Sequence, residues 1–235
     1  MNYEFITIEG NIGAGKTTLA SMLNNHFNSR LVLEEFADNP FLPKFYANQQ
    51  QYAFPLELFF MAERYKQLQE LLLQKSMFHE LTITDYLFTK SLLFAKVTLS
   101  EDEYKLYQRL FDIIQQNLIL PDILIYLHAP VVKLQENIKK RRRTYEQNIP
   151  DEYLQKIQDI YLQFLKQTTI PVLFVDASNA DFLQNQNHFH IILDALEKKY
   201  STGMHHIQLI WYSLMWLFYA YHNHKKSMPF VNLLL

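Results

Sequence analysis

Glycine is scarce in this chain, with four among 235 residues, and cysteine is absent altogether. The absence of cysteine excludes disulfides, thiolate metal sites and cysteine nucleophiles. Neither charge dominates, because 22 basic residues face 24 acidic ones for a net charge of −2. Composition therefore offers no electrostatic reason to expect nucleic acid or an acidic membrane as the main partner. No basic leader with an apolar stretch opens the sequence, so we expect a cytoplasmic protein rather than a secreted one.

Apolar runs alternate with long helical patterns along the chain, whose length predicts one domain. Strands are predicted at residues 3–9, 31–35, 78–85, 123–127 and 172–175. Helices are predicted at residues 15–27, 53–75, 88–97, 101–117, 131–140, 151–168 and 188–199. This alternation is typical of an α/β fold, here a central five-stranded parallel sheet with helices on both faces.

Three of the four glycines, Gly10, Gly13 and Gly15, fall within six residues, directly after the first predicted strand. The stretch GNIGAGKT fits the pattern G-x-x-x-x-G-K-[ST], and a predicted helix follows it. In such a loop, backbone N–H groups and a helix N-terminus surround phosphates, the lysine reaches the β- and γ-phosphates, and the threonine binds Mg²⁺. The predicted ATP-binding residues are Gly10, Asn11, Ile12, Gly13, Ala14, Gly15, Lys16, Thr17 and Thr18.

The basic run KKRRR at residues 139–143 separates two predicted helices. Its arginines can close over the transferring phosphoryl group as a lid, or the run can be an ordinary solvated helix face. The guanine-reading pattern N-K-x-D of GTPases is absent from the sequence, which favours a small kinase.

Carboxylates end two predicted strands, at the edge of a parallel sheet where ligands usually bind. Glu34 and Glu35 end the second strand, and one of them can accept a hydroxyl proton, although both can be surface residues. Asp85 ends the third strand and can bind Mg²⁺ or cap a helix that begins near Leu87.

Five segments taken in order resemble the deoxynucleoside kinase family, the deoxyadenosine, deoxyguanosine and deoxycytidine kinases of nucleoside salvage. They are GNIGAGKTTL, EEFADNPFLPKFY, AFPLELFFMAERYKQL, TITDYLFTKSLLFAK and RRRTYEQNIPDEYL. The resemblance covers about residues 3–200, which we take as the kinase domain with a lid at about 141–149. It implies transfer of the γ-phosphoryl group of ATP–Mg²⁺ to the 5′-hydroxyl of a deoxynucleoside, and a homodimer.

The resemblance also implies roles on the substrate side. Glu35 matches the carboxylate that takes the proton from the 5′-hydroxyl, and Glu34 is the alternative if the alignment is shifted by one residue. Tyr46 and Glu146 match residues that hold the 3′-hydroxyl. Arg64 matches an arginine near the base and the 5′-hydroxyl.

On the donor side, Arg141 and Arg143 match lid arginines that clamp the donor phosphates. Asp85 matches an acidic residue that works with Thr17 on Mg²⁺. With Lys16 and Glu35, the two lid arginines form the predicted catalytic set.

Two positions depart from the family pattern. Tyr86 stands where the family has an arginine, so Arg64 or the lid must supply the missing charge. Glu57 stands where a glutamine usually pairs with the base. An ionised glutamate only accepts hydrogen bonds, which favours guanine, whereas a protonated one can mimic glutamine. Purine deoxynucleosides are therefore favoured, unless Glu57 lies on the solvent side of its helix.

Two other functions stay open, and the two departures motivate the second of them. One is a nucleoside monophosphate kinase such as thymidylate kinase, and the other is a nucleotide-binding module without catalytic activity.

Residues 201–235 form an apolar tail to which the resemblance does not extend. Its uncharged stretch at residues 207–221 would span about 22 Å as a helix, too short for a hydrocarbon core of about 30 Å, so a membrane span is not expected.

Overall fold

A computed structural model describes residues 2–34, 39–73 and 81–209 of the chain. Its centre is a sheet in which all paired strands run parallel, in the order β2-β3-β1-β4-β5-β6. The strands are β1 (Phe5–Gly10), β2 (Arg30–Val32), β3 (Thr82–Thr84), β4 (Ile123–His128), β5 (Pro171–Asp176) and β6 (Gly203–Gln208). The α/β fold with a parallel sheet is thus confirmed.

Within the described residues the sheet has six strands, so the expected number of five is wrong. The additional strand β6 pairs in parallel with β5, from Gly203 to Gln208, within the segment that the sequence assigned to the tail. An edge strand needs no continuous apolar run, and the mixed, partly exposed sequence GMHHIQ gives no strand signal by itself. The rest of the tail, residues 210–235, lies outside the described residues. Among the helices of the described ranges, none combines the length and the apolar character that a membrane span requires.

The helices flank the sheet and connect its strands. They are α1 (Lys16–Phe27), α2 (Leu42–Ala47), α3 (Gln49–Leu73), α4 (Lys90–Thr98), α5 (Glu101–Gln115), α6 (Val131–Arg141), α7 (Asp151–Leu165) and α8 (Gln186–Leu196). A short 3-10 helix, Thr144–Glu146, follows α6 in the predicted lid.

The helices differ from the prediction mainly in α2 and α3, and α7 and α8 end three residues earlier than expected, at Leu165 and Leu196. The short helix α2 was not expected, and α3 begins at Gln49 rather than at residue 53. Pro55 fits the first turn of a helix, which favoured the later start, yet the structure continues α3 for one further turn before it.

Two clusters of buried side chains support the site. The larger one lies around the sheet and includes Ile6, Ile8 and Ile125, which are fully buried. The smaller core cluster packs where α3, α4 and α5 meet, and consists of Met61, Leu68, Tyr86, Phe88, Ala95, Tyr107 and Phe111. Together they hold the carboxyl ends of β1, β2 and β3 at one edge.

Glu9 is a buried carboxylate at the end of β1 that joins three parts of this edge. Its Oε1 accepts a hydrogen bond from the Leu87 backbone at 2.7 Å, and its Oε2 accepts from the Tyr161 hydroxyl at 2.8 Å and the Gly10 backbone at 3.2 Å. Burial raises the pKa of Glu9, and the charges of Lys90 and Lys16 oppose that rise. Glu9 thereby links the glycine-rich loop, the turn after β3 and helix α7.

Tyr161→Phe removes one of these donors and leaves a buried carboxylate oxygen less satisfied. We expect the free energy of unfolding to fall by about 1–2 kcal/mol, as for other buried hydrogen bonds. Urea denaturation measures it, with Tyr65→Phe as a control at a partly exposed tyrosine. Equal stability losses in the two variants would show that the Glu9 contact does not stabilise the fold.

Candidate active site

One cavity lies at the carboxyl ends of β1, β2 and β3. It brings together side chains from Ile12 to Tyr153, far apart in the sequence. Besides the alternative base Glu34, ten residues predicted from the sequence line it: Ile12, Lys16, Thr17, Tyr46, Glu57, Arg64, Asp85, Arg141, Arg143 and Glu146. The cavity therefore joins the predicted donor and acceptor sites in one space.

The glycine-rich loop takes backbone conformations that side chains would obstruct. Gly10 has φ +152°, and a Cβ there would lie 2.6 Å from the Leu127 carbonyl oxygen. Gly13 has φ +83°, and a Cβ there would lie 2.8 Å from the Leu134 carbonyl oxygen. Gly15, with φ +92°, occupies the N-cap position of α1. The scarce glycines thus stand where the loop needs left-handed backbone or close approach.

Neighbouring side chains fix the rest of the loop. Asn11 Nδ2 donates to the Leu154 carbonyl at 2.8 Å, and Asn11 Oδ1 accepts from the Ile12 backbone at 2.8 Å. Ala14 is buried, and Thr18, in the first turn of α1, is partly buried. The loop conformation is therefore stabilised from outside the motif.

Lys16 bridges the loop itself. Its Nζ donates to the Gly10 carbonyl at 2.9 Å and to the Asn11 carbonyl at 3.0 Å. Burial lowers the pKa of Lys16 to about 8, and the like charge of Lys90 acts in the same direction. An ammonium held this way can exchange carbonyl contacts for phosphate oxygens, which restore its charged form.

Thr17 and Asp85 form an oxygen pair beside the loop. The Thr17 hydroxyl donates to Asp85 Oδ2 at 2.5 Å, and Asp85 Oδ1 accepts from the Glu34 backbone N–H at 2.7 Å. Helix α4 begins at Lys90, with Thr89 at the N-cap position, so the alternative role of Asp85 as a helix cap is wrong. Hydroxyl and carboxylate oxygens are the ligands that Mg²⁺ prefers.

Of the two candidate carboxylates after β2, Glu34 is the one within the described residues, and it lines the cavity. Its Oε1 accepts from Arg64 Nη2 at 2.6 Å and Nε at 2.8 Å, and its Oε2 accepts from Lys90 Nζ at 2.5 Å. Burial alone would raise the pKa of Glu34, but Lys90 and Arg64 hold it well below the usual range. Glu35, the first choice from the sequence, lies outside the described residues.

Arg64 is a buried guanidinium on α3 that the structure leaves little room to move. Besides its two bonds to Glu34, its Nη1 donates to Ser91 Oγ at 2.7 Å, and its guanidinium carbon lies 5.0 Å from the centroid of the Phe60 ring. Arg64 lies in the cavity wall, and its place near the acceptor stays a prediction.

Glu57 also faces the cavity and is only 2 % exposed, so the alternative of a solvent-facing glutamate is wrong. The Thr98 hydroxyl donates to its Oε1 at 2.9 Å. Burial raises the pKa of Glu57 to about 7, against the lowering effects of Arg64 and Lys90 and together with the raising effect of Glu34. Both protonation states of Glu57 are therefore accessible near neutral pH.

The basic run divides between cavity and solvent. Arg141 and Arg143 line the cavity and contact Glu146 at 3.4 and 3.0 Å, whereas Arg142 is exposed and has the left-handed φ of +58°. Lys139 and Lys140 are exposed as well, so a solvated face describes part of the run, and Arg141 and Arg143 are its members in the cavity wall. The Glu146 carboxylate is buried between the two guanidiniums.

Tyr46 on α2 stands next to this group. Its ring stacks on that of Tyr145 with centroids 6.3 Å apart, and burial, with the Glu146 charge, raises its pKa. Helix α2, which the sequence analysis did not foresee, is the element that carries Tyr46 to the lid.

The cavity contains residues that sequence reasoning missed. Lys90, Phe94 and Tyr153 line it, and Thr98 and Tyr107 hold Glu57 through its side chain and backbone. Lys90 had one signal in the sequence, because it lies four residues after the uncharged Tyr86, where the family pattern has a cation.

A parallel sheet with a glycine-rich phosphate loop and a basic lid defines a P-loop phosphotransferase. The sequence profile described as deoxynucleoside kinase matches residues 6–201, and the chain belongs to this family. The two rival functions are not favoured, and the chain is a deoxynucleoside kinase that uses ATP as phosphoryl donor.

Several relatives are informative. A deoxyguanosine kinase of Bacillus subtilis is 38% identical over 80% of this chain and 93% of its own length. A deoxyadenosine kinase of Dictyostelium discoideum is 34% identical over 74% of this chain and 72% of its own. The structure of a deoxyadenosine kinase from M. mycoides with bound dATP matches with a TM-score of 0.72 and 25% identity, over 83% of this chain and all of that one.

Lys16→Ala removes the cation of the loop. We expect kcat to fall by at least about 10³-fold, because positioning and charge supply nearly all of phosphoryl-transfer catalysis. The measurement is initial-rate kinetics, with Lys156→Ala on the exposed face of α7 as control. Activity within about tenfold of the unmodified enzyme would contradict the assignment of this loop to the donor phosphates.

Proposed function

We propose that this kinase phosphorylates the 5′-hydroxyl of purine deoxynucleosides from ATP–Mg²⁺, with deoxyguanosine preferred. The observation that supports this preference is the buried Glu57 carboxyl in the cavity wall, whose pKa is about 7. The purine names of the Bacillus subtilis and Dictyostelium relatives are consistent with it.

Glu57 can read a base edge in two ways. When ionised, its two oxygens accept from N1–H and N2–H₂ of guanine, which present donors side by side. When protonated, it donates to one ring nitrogen and accepts from an amino group, which suits adenine or cytosine. The ionised form is also stabilised by donors, and Thr98 already supplies one. Guanine adds two more, so its binding favours the carboxylate.

Glu34 is the general base in this proposal. Its pair of cations keeps the carboxylate ionised, and Glu34 and Lys90 both line the cavity. The 5′-oxygen attacks the γ-phosphorus while its proton passes to Glu34, and the bond from phosphorus to the β,γ-bridging oxygen breaks, with its electron pair leaving on ADP. Tyr46 and Glu146 would hold the sugar 3′-hydroxyl from the opposite wall.

On the donor side, the loop at residues 10–18 and Lys16 would bind the phosphates. Thr17 and Asp85 would hold Mg²⁺, which when bound neutralises phosphate charge. Arg141 and Arg143 would close over the transferring group, exchanging part of their contact with Glu146 for phosphate oxygens. Glu146 keeps these guanidiniums ordered in the cavity wall before substrate arrives.

We also propose a cytoplasmic homodimer whose kinase domain, expected over residues 1–200 with the lid at about 141–149, also includes the edge strand β6. These proposals rest on the resemblance to the deoxynucleoside kinase family.

The decisive experiment offers the four deoxynucleosides and their monophosphates separately, with ATP, and measures the product. We expect a 5′-monophosphate from deoxyguanosine with the highest kcat/KM, and a smaller value from deoxyadenosine. Diphosphate from a monophosphate acceptor would instead support a monophosphate kinase. Binding of ATP without any product would support the module without catalytic activity.

Glu57→Gln should shift the ratio of kcat/KM for deoxyguanosine and deoxyadenosine at least about tenfold, or roughly 1.4 kcal/mol, towards deoxyadenosine. In the unmodified enzyme the same ratio should rise from pH 6 to pH 8, because the ionised fraction of Glu57 rises through its pKa of about 7. Other titrating groups act on both substrates and cancel in the ratio. If the kcat/KM ratio changes neither with pH nor on the substitution, Glu57 does not take part in base recognition.

Glu34→Gln keeps the size of the side chain and removes the base. We expect kcat to fall by about 10²–10⁴-fold with little change in deoxynucleoside affinity. Glu35→Gln is the matched control at the neighbouring position. If Glu35→Gln shows this loss and Glu34→Gln does not, the general base is the carboxylate first expected from the sequence.

A further inference from the structure

Lys90 is a buried lysine that faces the cavity from the first turn of α4. It is 5 % exposed, its Nζ donates to Glu34 Oε2 at 2.5 Å and lies 5.4 Å from the centroid of the Phe94 ring. Removing an ammonium from water is costly unless an anion compensates it. The site therefore has to offer Lys90 negative charge throughout the reaction.

Lys90 lies between the two halves of the site. On one side it pairs with Glu34, which belongs to the acceptor. On the other side its charge, after burial, contributes to the lowered pKa of Lys16, so the two ammonium groups interact electrostatically. The transferred phosphoryl group must pass between the phosphate loop and Glu34, which is the region that Lys90 borders.

The two cations on Glu34 differ in freedom. Arg64 donates twice to Oε1 and once to Ser91, so its planar group is held at three points. Lys90 donates to Oε2 from a flexible stem, and an ammonium has no fixed fork geometry. Lys90 is thus the cation that can follow a moving charge.

The turn before α4 has no charge at position 86. Tyr86 packs in the smaller core cluster, and its hydroxyl donates to Gln67 Oε1 at 2.8 Å. A positive charge from this part of the chain reaches the cavity through Lys90, four residues later.

We propose that Lys90 is a catalytic residue that changes its partner during transfer, from the Glu34 carboxylate to an oxygen of the transferred phosphoryl group. The inference rests on the proposed function. When Glu34 takes the proton of the 5′-hydroxyl, its negative charge is lost, while the phosphoryl group between the entering 5′-oxygen and the departing ADP stays anionic. Lys90 then follows the negative charge, and no further reactant is needed.

Such an exchange stabilises the transition state more than the bound substrates. In the resting site Lys90 already has a full anion, so it gains little from ATP binding. Its contact with the phosphoryl oxygens strengthens only as the proton leaves for Glu34. The inference therefore predicts an effect on kcat and not on substrate affinity.

Lys90→Met tests this, with Lys90→Arg as the conservative variant and Lys96→Met on the exposed face of the same helix as control. We expect Lys90→Met to lower kcat by about 10²–10³-fold, with both KM values changed by less than about threefold. Lys90→Arg should recover part of the loss, and Lys96→Met should behave as the unmodified enzyme. If Lys90→Met does not fold, as thermal unfolding would show, Lys90→Gln and Lys90→Arg carry the same comparison.

A binding experiment separates contact with the phosphoryl group from an effect through Glu34. The probe is adenosine joined 5′-to-5′ to deoxyguanosine by a pentaphosphate chain, which places phosphate between the two sites. We expect Lys90→Met to weaken its binding at least about tenfold, in the unmodified background and in Glu34→Gln alike.

A loss that disappears in the Glu34→Gln background would overturn the proposal, because Lys90 would then act only by holding Glu34. A kcat of Lys90→Met within about threefold of the unmodified enzyme would overturn it as well. In both cases the unmodified enzyme still phosphorylates deoxynucleosides. Failure of the proposed function is different, because the unmodified enzyme then forms no deoxynucleoside monophosphate.

Discussion

Glu34 between Arg64 and Lys90 is the interaction on which the site depends. Three charges are buried together at the end of β2, and each is tolerable only because the others are present. The same contacts tie β2 to α3 and α4, so the acceptor wall is assembled by its electrostatics as well as by packing. They also keep the Glu34 carboxylate ionised, because Lys90 and Arg64 hold its pKa well below the usual range. One set of contacts thus fixes both the buried carboxylate and its two cations.

Parallel strand order explains why the donor and acceptor sites share one cavity. β1, β2 and β3 are neighbours in the sheet and end at the same edge, so the phosphate loop, Glu34 and Asp85 emerge side by side. Short hydrogen bonds then join them, from Thr17 to Asp85 and from the Glu34 backbone to Asp85. Asp85 thus connects the first turn of α1 with the segment that follows β2.

The parts of the site that could be predicted were those with local signals. The glycines of the loop at residues 10–17 indicate the backbone conformation that the loop adopts. Glu57 and Arg64 lie seven residues apart on one predicted helix, which places them on the same face. Local signals could not decide between Glu34 and Glu35 as the general base, because adjacent residues near a strand end point in opposite directions. Strand β6 was missed because pairing with β5, rather than apolar periodicity, defines it. Lys90 was missed because its place in the site depends on an ion pair with Glu34, a residue that is distant in the sequence.

By itself, the sequence determined the phosphate loop, the alternation of strands and helices, and the family. These are encoded in residues that are close along the chain, where glycine conformations and side-chain periodicity act directly. Only the tertiary structure decided that Glu34 lines the cavity between two cations, that Glu57 is buried with a raised pKa, and that Lys90 on α4 brings a positive charge to the same cavity. Burial and ion pairing arise between residues far apart in sequence, and they exist only once the sheet edge has brought those residues together.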